Sequence, residues 1–163
     1  KDLSILGSYG KRGVGYEVDF LIEQIRRVLG AGDSVSVVIV GAGNLGRALT
    51  YYGGFASGGF PIKGLVDSSP EVIGQEVAGI TVEPFEKLKD VVQKNSCTLG
   101  IIATPATAAQ LVADQLFDAG IYSILNFAPG LVAVPESVTL RKVDLATELH
   151  ILAFHEQQRE RNE

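Results

Sequence analysis

Apolar residues at Val18, Leu21, Ile22, Ile25, Val28 and Leu29 fall at i, i+3, i+4, i+7, i+10 and i+11 and predict an amphipathic helix that stops at Gly30. The period then changes. Val35 to Val40, β-branched apart from Ser36, predicts a strand buried on both faces, and a helix follows from about Asn44. The alternation continues with a strand over Ile62–Val66, a hairpin-like excursion through Val77 to Val82, and a helix over Pro84–Gln93 with Pro84 in its first turn. A strand over Thr98–Ala103, a helix over Ala106–Ala119, and strands over Ser123–Phe127 and Val138–Val143 complete the pattern. Strands and helices that alternate through short connections predict an α/β fold, a doubly wound and mostly parallel sheet with right-handed crossovers. The last segment, Leu145 to about Gln158, reads as a helix. Leu145, Leu149 and Leu152 recur at i, i+4 and i+7, while Ile151 and Phe154 lie off that row. A helix apolar on two sides needs a second covering surface, which predicts a homodimer.

Composition narrows the class. The 163 residues suit one domain with a real core, and 46% hydrophobic with 20% charged residues is globular. The longest charge-free stretch, Asn95 to Ala113, holds Pro105 and several polar residues, unlike a membrane span. The single cysteine, Cys97, forms no internal disulfide, and with two histidines it makes no spaced metal cluster, so a cytoplasmic protein without a metal site is expected. The net charge of −5 argues against nucleic-acid binding by the chain as a whole, although Lys1, Asp2, Lys11 and Arg12 give residues 1–16 a local +2. Those residues carry Gly7, Gly10, Gly13 and Gly15 without a sustained period and read as a turn-rich arm. The chain opens on Lys1 and contains no methionine, from which a missing upstream piece is expected.

The chemistry begins at Gly41-Ala42-Gly43-Asn44-Leu45-Gly46, directly after the first predicted core strand and at the start of a helix. In that setting Gly41 permits a tight turn, Gly43 lets backbone N–H groups approach a pyrophosphate, and Gly46 allows close helix–strand packing. The anion sits at the helix N-terminus. Asp67, 21 residues after Gly46, suits the hydroxyls of an adenosine ribose and repels a 2′-phosphate, so NAD(H) is favoured over NADP(H). No acid–base group for hydride chemistry is evident. His150 and His155 share the terminal helix, no tyrosine has a lysine four positions on, and Cys97 reads as a small buried hydrophobe. No catalytic residue is assigned. The cofactor-binding half of an NAD-dependent oxidoreductase and a coenzyme A binding module remain the alternatives, the second disfavoured because Asp67 would meet the 3′-phosphate.

Several motifs together carry a resemblance. Lys1-Asp2-Leu3-Ser4, Lys11-Arg12-Gly13-Val14-Gly15-Tyr16, Gly41 to Leu49, Asn126-Phe127-Ala128-Pro129 and Val143-Asp144-Leu145 resemble the Rex family of bacterial redox-sensing transcriptional repressors, over almost the whole chain. The resemblance implies a winged-helix DNA-binding domain, a Rossmann-type domain that binds NADH or NAD⁺, and a C-terminal helix exchanged between the subunits of a dimer. On that basis residues 1–16 are the remnant of the winged helix, expected to be poorly ordered, with Lys11, Arg12 and Gly13 in the wing. Residues 17–143 are the NAD(H)-binding domain and residues 144–163 the dimerisation helix and charged tail. Operator DNA is then a partner only of a full-length chain. The implied cofactor-binding set adds Tyr52, Thr104, Pro105, Asn126, Phe127, Ala128, Pro129 and Asp144 to the glycine loop and Asp67, with Tyr52 and Asp144 reporting cofactor state at the dimer interface. Reduced nicotinamide is neutral and oxidised nicotinamide is cationic, so an apolar pocket of Phe127, Ala128 and Pro129 penalises NAD⁺ by desolvation.

Overall fold

The computed structural model describes residues 34–161, with side chains described up to residue 159. The arm over residues 1–16, the wing residues Lys11, Arg12 and Gly13, and the helix over Val18–Leu29 lie outside the described residues. In chain order the elements are β1 (Val37–Val40), α1 (Asn44–Tyr51), α2 (Gly53–Ser57), β2 (Ile62–Asp67), β3 (Glu76–Val77), β4 (Ile80–Pro84), a 3-10 turn (Phe85–Lys87), α3 (Leu88–Lys94), β5 (Leu99–Ile102), α4 (Ala106–Asp118), β6 (Ser123–Asn126), β7 (Thr139–Lys142) and α5 (Leu145–Arg161).

Seven strands form one sheet in the order β3-β4-β2-β1-β5-β6-β7, parallel except for the β3–β4 pair. Counted along the chain, the parallel strands stand in the order 3-2-1-4-5-6, the doubly wound Rossmann arrangement. The winding reverses between β1 and β5. Ligands of such sheets sit at that switch point, outside the carboxyl ends of the strands.

The strands alternate between two cores, as a period of two requires. Val38 and Val40 of β1, with Val66 and Ile102, pack against Val91, Val112 and Leu116 from the helices on one face. Val37 and Ile39, with Leu65 and Ile101, pack with Val77 and Val82 on the other. This double burial is why β1 is apolar on both faces. Cys97 sits in the first core, where burial pushes its thiol up to about 11. It is expected to resist alkylating reagents at neutral pH in the folded protein and to react once denaturant exposes it, which a mass-shift assay at increasing urea checks.

Two expectations are corrected by the sheet. The excursion through Val77 to Val82 does form a hairpin, turning at Ala78 (φ 51°) and Gly79 (φ 79°), but its second strand continues to Pro84 and joins the main sheet. There Leu65 pairs with Val82 and Asp67 with Pro84. Pro84 therefore closes a strand and does not open the helix, which starts as the 3-10 turn and becomes α-helical at Leu88. Helix α2 occupies part of the stretch between the helix after the glycine loop and the strand at Ile62, where the sequence reading assigned no element.

Helix α5 differs from every other element. It is 17 residues long, and every described side chain from 144 to 159 is exposed, including Leu145, Leu149, Ile151, Leu152 and Phe154. Among the described residues, no helix is long and apolar enough to cross a membrane.

Candidate functional site

The chain leaves β1 through Gly41 at φ +107°, a conformation that side-chain-bearing residues rarely adopt. A Cβ there would also lie 2.5 Å from the Ala103 carbonyl oxygen. At Gly46 a Cβ would lie 1.7 Å from the Gly41 carbonyl oxygen, so the first turn of α1 reaches the loop only because no side chain intervenes. Gly43 differs from both. Its φ of −72° and ψ of −168° suit any residue, and no atom of the described residues lies within 4 Å of where its Cβ would stand. Neither backbone strain nor packing among the described residues requires glycine there.

Gly43 is the N-cap of α1, which has no side-chain cap and no acidic residue in its first turn. The unpaired N–H groups of the helix start beside exposed Asn44 and Leu45, the ordinary setting for an anion. The loop around them is braced. Asp67 Oδ2 accepts a hydrogen bond from the Ala42 N–H at 2.6 Å, and Oδ1 accepts one from the Ser69 N–H at 2.8 Å. Arg47 Nε donates to the Ala42 carbonyl at 2.9 Å, and its guanidinium also donates to the Gln75 side chain. Each carboxylate oxygen of Asp67 keeps a lone pair for a further donor. The residue expected to hold a ribose thus also holds the loop.

Two cavities flank the switch point. The first, about 230 Å³, lies at the carboxyl ends of β1, β2 and β5 between the glycine loop and α4. Asp67 and Ser68 stand at one side, Phe85 and Leu111 supply apolar wall, and Thr104 and Pro105 also line it. The Thr104 hydroxyl is buried without a hydrogen-bond partner among the described residues, a group that a bound ligand would satisfy. The second cavity, about 170 Å³, lies at the carboxyl ends of β6 and β7 and is closed by Leu45 of α1. It compares with the roughly 150 Å³ that holds one benzene ring. Phe127, Ala128 and Pro129 form its apolar side, and Lys142 and Asp144 its charged side. A broader trough of about 760 Å³ begins at Ile62 and Ile80, away from the glycine loop, and mixes Lys63, Lys87 and Lys94 with Glu83 and Asp90.

The remaining expected residues are placed less directly. Asn126 is buried at 1% exposure and lines neither cavity; its Oδ1 accepts the Ala128 N–H at 2.8 Å and so shapes the turn after β6. Tyr52 is exposed between α1 and α2, packs edge-on against Phe55 at 5.1 Å, and lines neither cavity. Asp144 caps α5, accepting the Thr147 N–H at 3.2 Å, and pairs with Lys142 Nζ at 3.3 Å. The Thr147 N–H and then the Lys142 ammonium hold its carboxyl below the usual carboxylate range. His150 and His155 lie on exposed α5, away from both cavities. Among the described residues no group of three His, Cys, Asp or Glu side chains could hold a metal.

The sequence reading missed Phe85, Leu111 and Lys142. Placing Ile80–Pro84 in the sheet would have found Phe85, the first residue beyond a parallel strand at the ligand edge. Lys142 stands two residues before Asp144, the spacing of one strand face.

Comparison with known proteins follows the same outline. A family model described as CoA binding domain matches residues 33–130. The redox-sensing transcriptional repressor Rex of Streptomyces coelicolor is 56% identical over 159 residues, 98% of this chain and 62% of the relative. The Rex repressor of Desulfitobacterium hafniense is 46% identical over 95% of this chain and 74% of its own. Among solved structures, RSP, a Rex-family repressor, in complex with β-NAD⁺ and operator DNA superposes with a TM-score of 0.87 at 34% identity, covering 98% of this chain and 73% of that one. RSP in complex with β-NADH gives 0.82 at 34% identity over 90% and 71%. A UDP-D-quinovosamine 4-dehydrogenase at 18% identity and a TM-score of 0.50 shares the fold alone. The chain spans about 62% of the length of the Streptomyces coelicolor relative.

Proposed function

The chain belongs to the family of Rex redox-sensing transcriptional repressors and, over residues 33–130, to the family described as CoA binding domain, and on that footing we propose that it is an NADH/NAD⁺ sensor whose cofactor state sets the geometry of a homodimer. The observation that carries the reading is Gly43, a glycine that the chain's own conformation and packing do not require, at an uncapped helix start between two cavities. The pyrophosphate takes the α1 N-terminus, the adenosine takes the cavity bordered by Asp67 and Thr104, and the nicotinamide takes the cavity of Leu45, Phe127, Ala128 and Pro129. A solved relative in complex with β-NAD⁺ and operator DNA supports the dinucleotide as the ligand.

The dimer is the second part of the reading. A 17-residue helix exposed on all sides is marginal alone, and a second copy of the chain supplies the surface that covers it. Tyr52, which lines neither cavity, would then report cofactor state with Asp144 at the dimer interface. In a full-length, cytoplasmic repressor the paired orientation of the two subunits decides whether recognition helices match operator half-sites. The division into a cofactor domain over residues 17–143 and a dimerisation segment over residues 144–163 follows from this, since β7 ends at Lys142 and α5 begins at Leu145.

Titrating the protein with NADH by fluorescence, with NAD⁺, NADPH and coenzyme A as competitors, tests the cofactor. NAD⁺ should displace NADH while NADPH and coenzyme A, each with an extra phosphate on the adenosine ribose, should not. Displacement by coenzyme A at lower concentration than NAD⁺ would replace this reading by the coenzyme A module that the family match names. Asp67→Asn keeps an acceptor oxygen for the loop and removes the repelling charge, so it should let NADPH compete. Asp67→Ala should also lower stability by about 1–3 kcal/mol, because the buried Ala42 N–H loses its partner. Thermal melts of the two variants separate the effects.

A further inference from the structure

We infer that Lys142 is a specificity-determining residue of the nicotinamide cavity, its ammonium disfavouring the cationic oxidised ring. The inference rests on the cofactor assignment proposed above. NADH and NAD⁺ share their adenosine, pyrophosphate and ribose portions, so discrimination must arise where the ring sits. Two charged side chains line that cavity, Lys142 and Asp144, with Nζ and Oδ2 3.3 Å apart. Their side chains are 37% and 43% exposed, at a mouth and not in a sealed interior.

The pair is not symmetric about the cavity. Asp144 divides its carboxylate between Lys142 and the start of α5, where it accepts the Thr147 N–H and faces the positive end of the helix dipole. Lys142 has Asp144 as its one ionic partner among the described residues. Its neighbour Arg141 belongs to the opposite face of β7 by strand alternation. The pair is neutral as a whole, and Glu148 adds a further negative charge in the first turn of α5, so the discrimination rests on the ammonium standing nearer the ring, beside the apolar Phe127 and Pro129 wall, than the carboxylate that Thr147 holds at the helix start. A neutral ring is indifferent to that ammonium and a cationic ring beside it is repelled.

The test measures Kd for NADH by fluorescence and for NAD⁺ by competition, in the full chain and in Lys142→Met, Asp144→Asn, the double variant and Lys142→Arg. Lys142→Met should lower the NAD⁺:NADH ratio of Kd values by about threefold to tenfold, the range for charges near a protein surface. Asp144→Asn, which frees the ammonium, should raise the ratio. The double variant should return toward the parent, Lys142→Arg should keep the parent ratio, and all shifts should shrink as salt is raised. An unchanged ratio in Lys142→Met with both ligands still bound overturns the inference. So does movement of the ratio in the same direction by both single variants, since a pair that only caps α5 would behave that way. Absence of binding of either nucleotide to the parent chain would instead overturn the cofactor assignment.

Discussion

Replacing Gly43 by alanine is expected to weaken NADH binding by a factor of about 10 to 150 and to shift the melting temperature by no more than about 2 °C. The binding figure is the loss of one hydrogen bond to a charged group, about 1.5–3 kcal/mol. The small thermal effect follows because the new methyl meets no protein atom and the backbone there is ordinary. Gly46→Ala makes the same chemical change three residues on and should behave in the opposite way. Its methyl would stand 1.7 Å from the Gly41 carbonyl oxygen, which is backbone and cannot rotate aside. About 3 kcal/mol or more of destabilisation, roughly 6–12 °C in melting temperature, is expected. Calorimetry and a fluorescence titration on the two variants form one experiment. Normal NADH affinity in Gly43→Ala would falsify the placement of the pyrophosphate at α1.

Deleting residues 145–163 is expected to convert the protein from dimer to monomer and to remove most of the difference between NADH and NAD⁺ affinity. Five large apolar side chains on α5 are exposed, and covering each contributes about 1.5–3 kcal/mol. Light scattering at micromolar concentration reads the mass, and circular dichroism on dilution reads the helix, which should melt as the dimer dissociates. A monomeric intact chain with NADH bound would remove the partner from the sensing mechanism.

The glycine loop was legible because its reasons are local. The Val35–Val40 run marks the strand, Gly41 and Gly46 answer to clashes with atoms a few residues away or on the adjacent strand, and Asp67 ends the next strand. The parallel order of the sheet was legible from alternation. The cavities were less so, because Asp67, Phe85, Thr104 and Leu111 come from four separate elements and meet only when the strands are ordered. Glu83-Pro84 misled for a plain reason: proline suits the first turn of a helix and equally the last position of a strand. At Asp144 the structure shows a helix cap, visible in its bond to Thr147, whereas the reporting role comes from the resemblance and has no local signature in the chain. Tyr52 lines neither cavity, and a role across subunits, as proposed, would leave no periodic mark in one chain.

The brace from Asp67 to the Ala42 N–H means that the loop has its binding shape before any nucleotide arrives. With the pyrophosphate at this loop, as proposed, little chain entropy remains to be lost on association, and that saving is common to both redox forms, since they share that portion. If both forms bind tightly enough to keep the site filled, each displaces the other and an occupied receptor responds to their proportion and not to their sum, so its output should stay constant when the total pool is doubled at fixed composition.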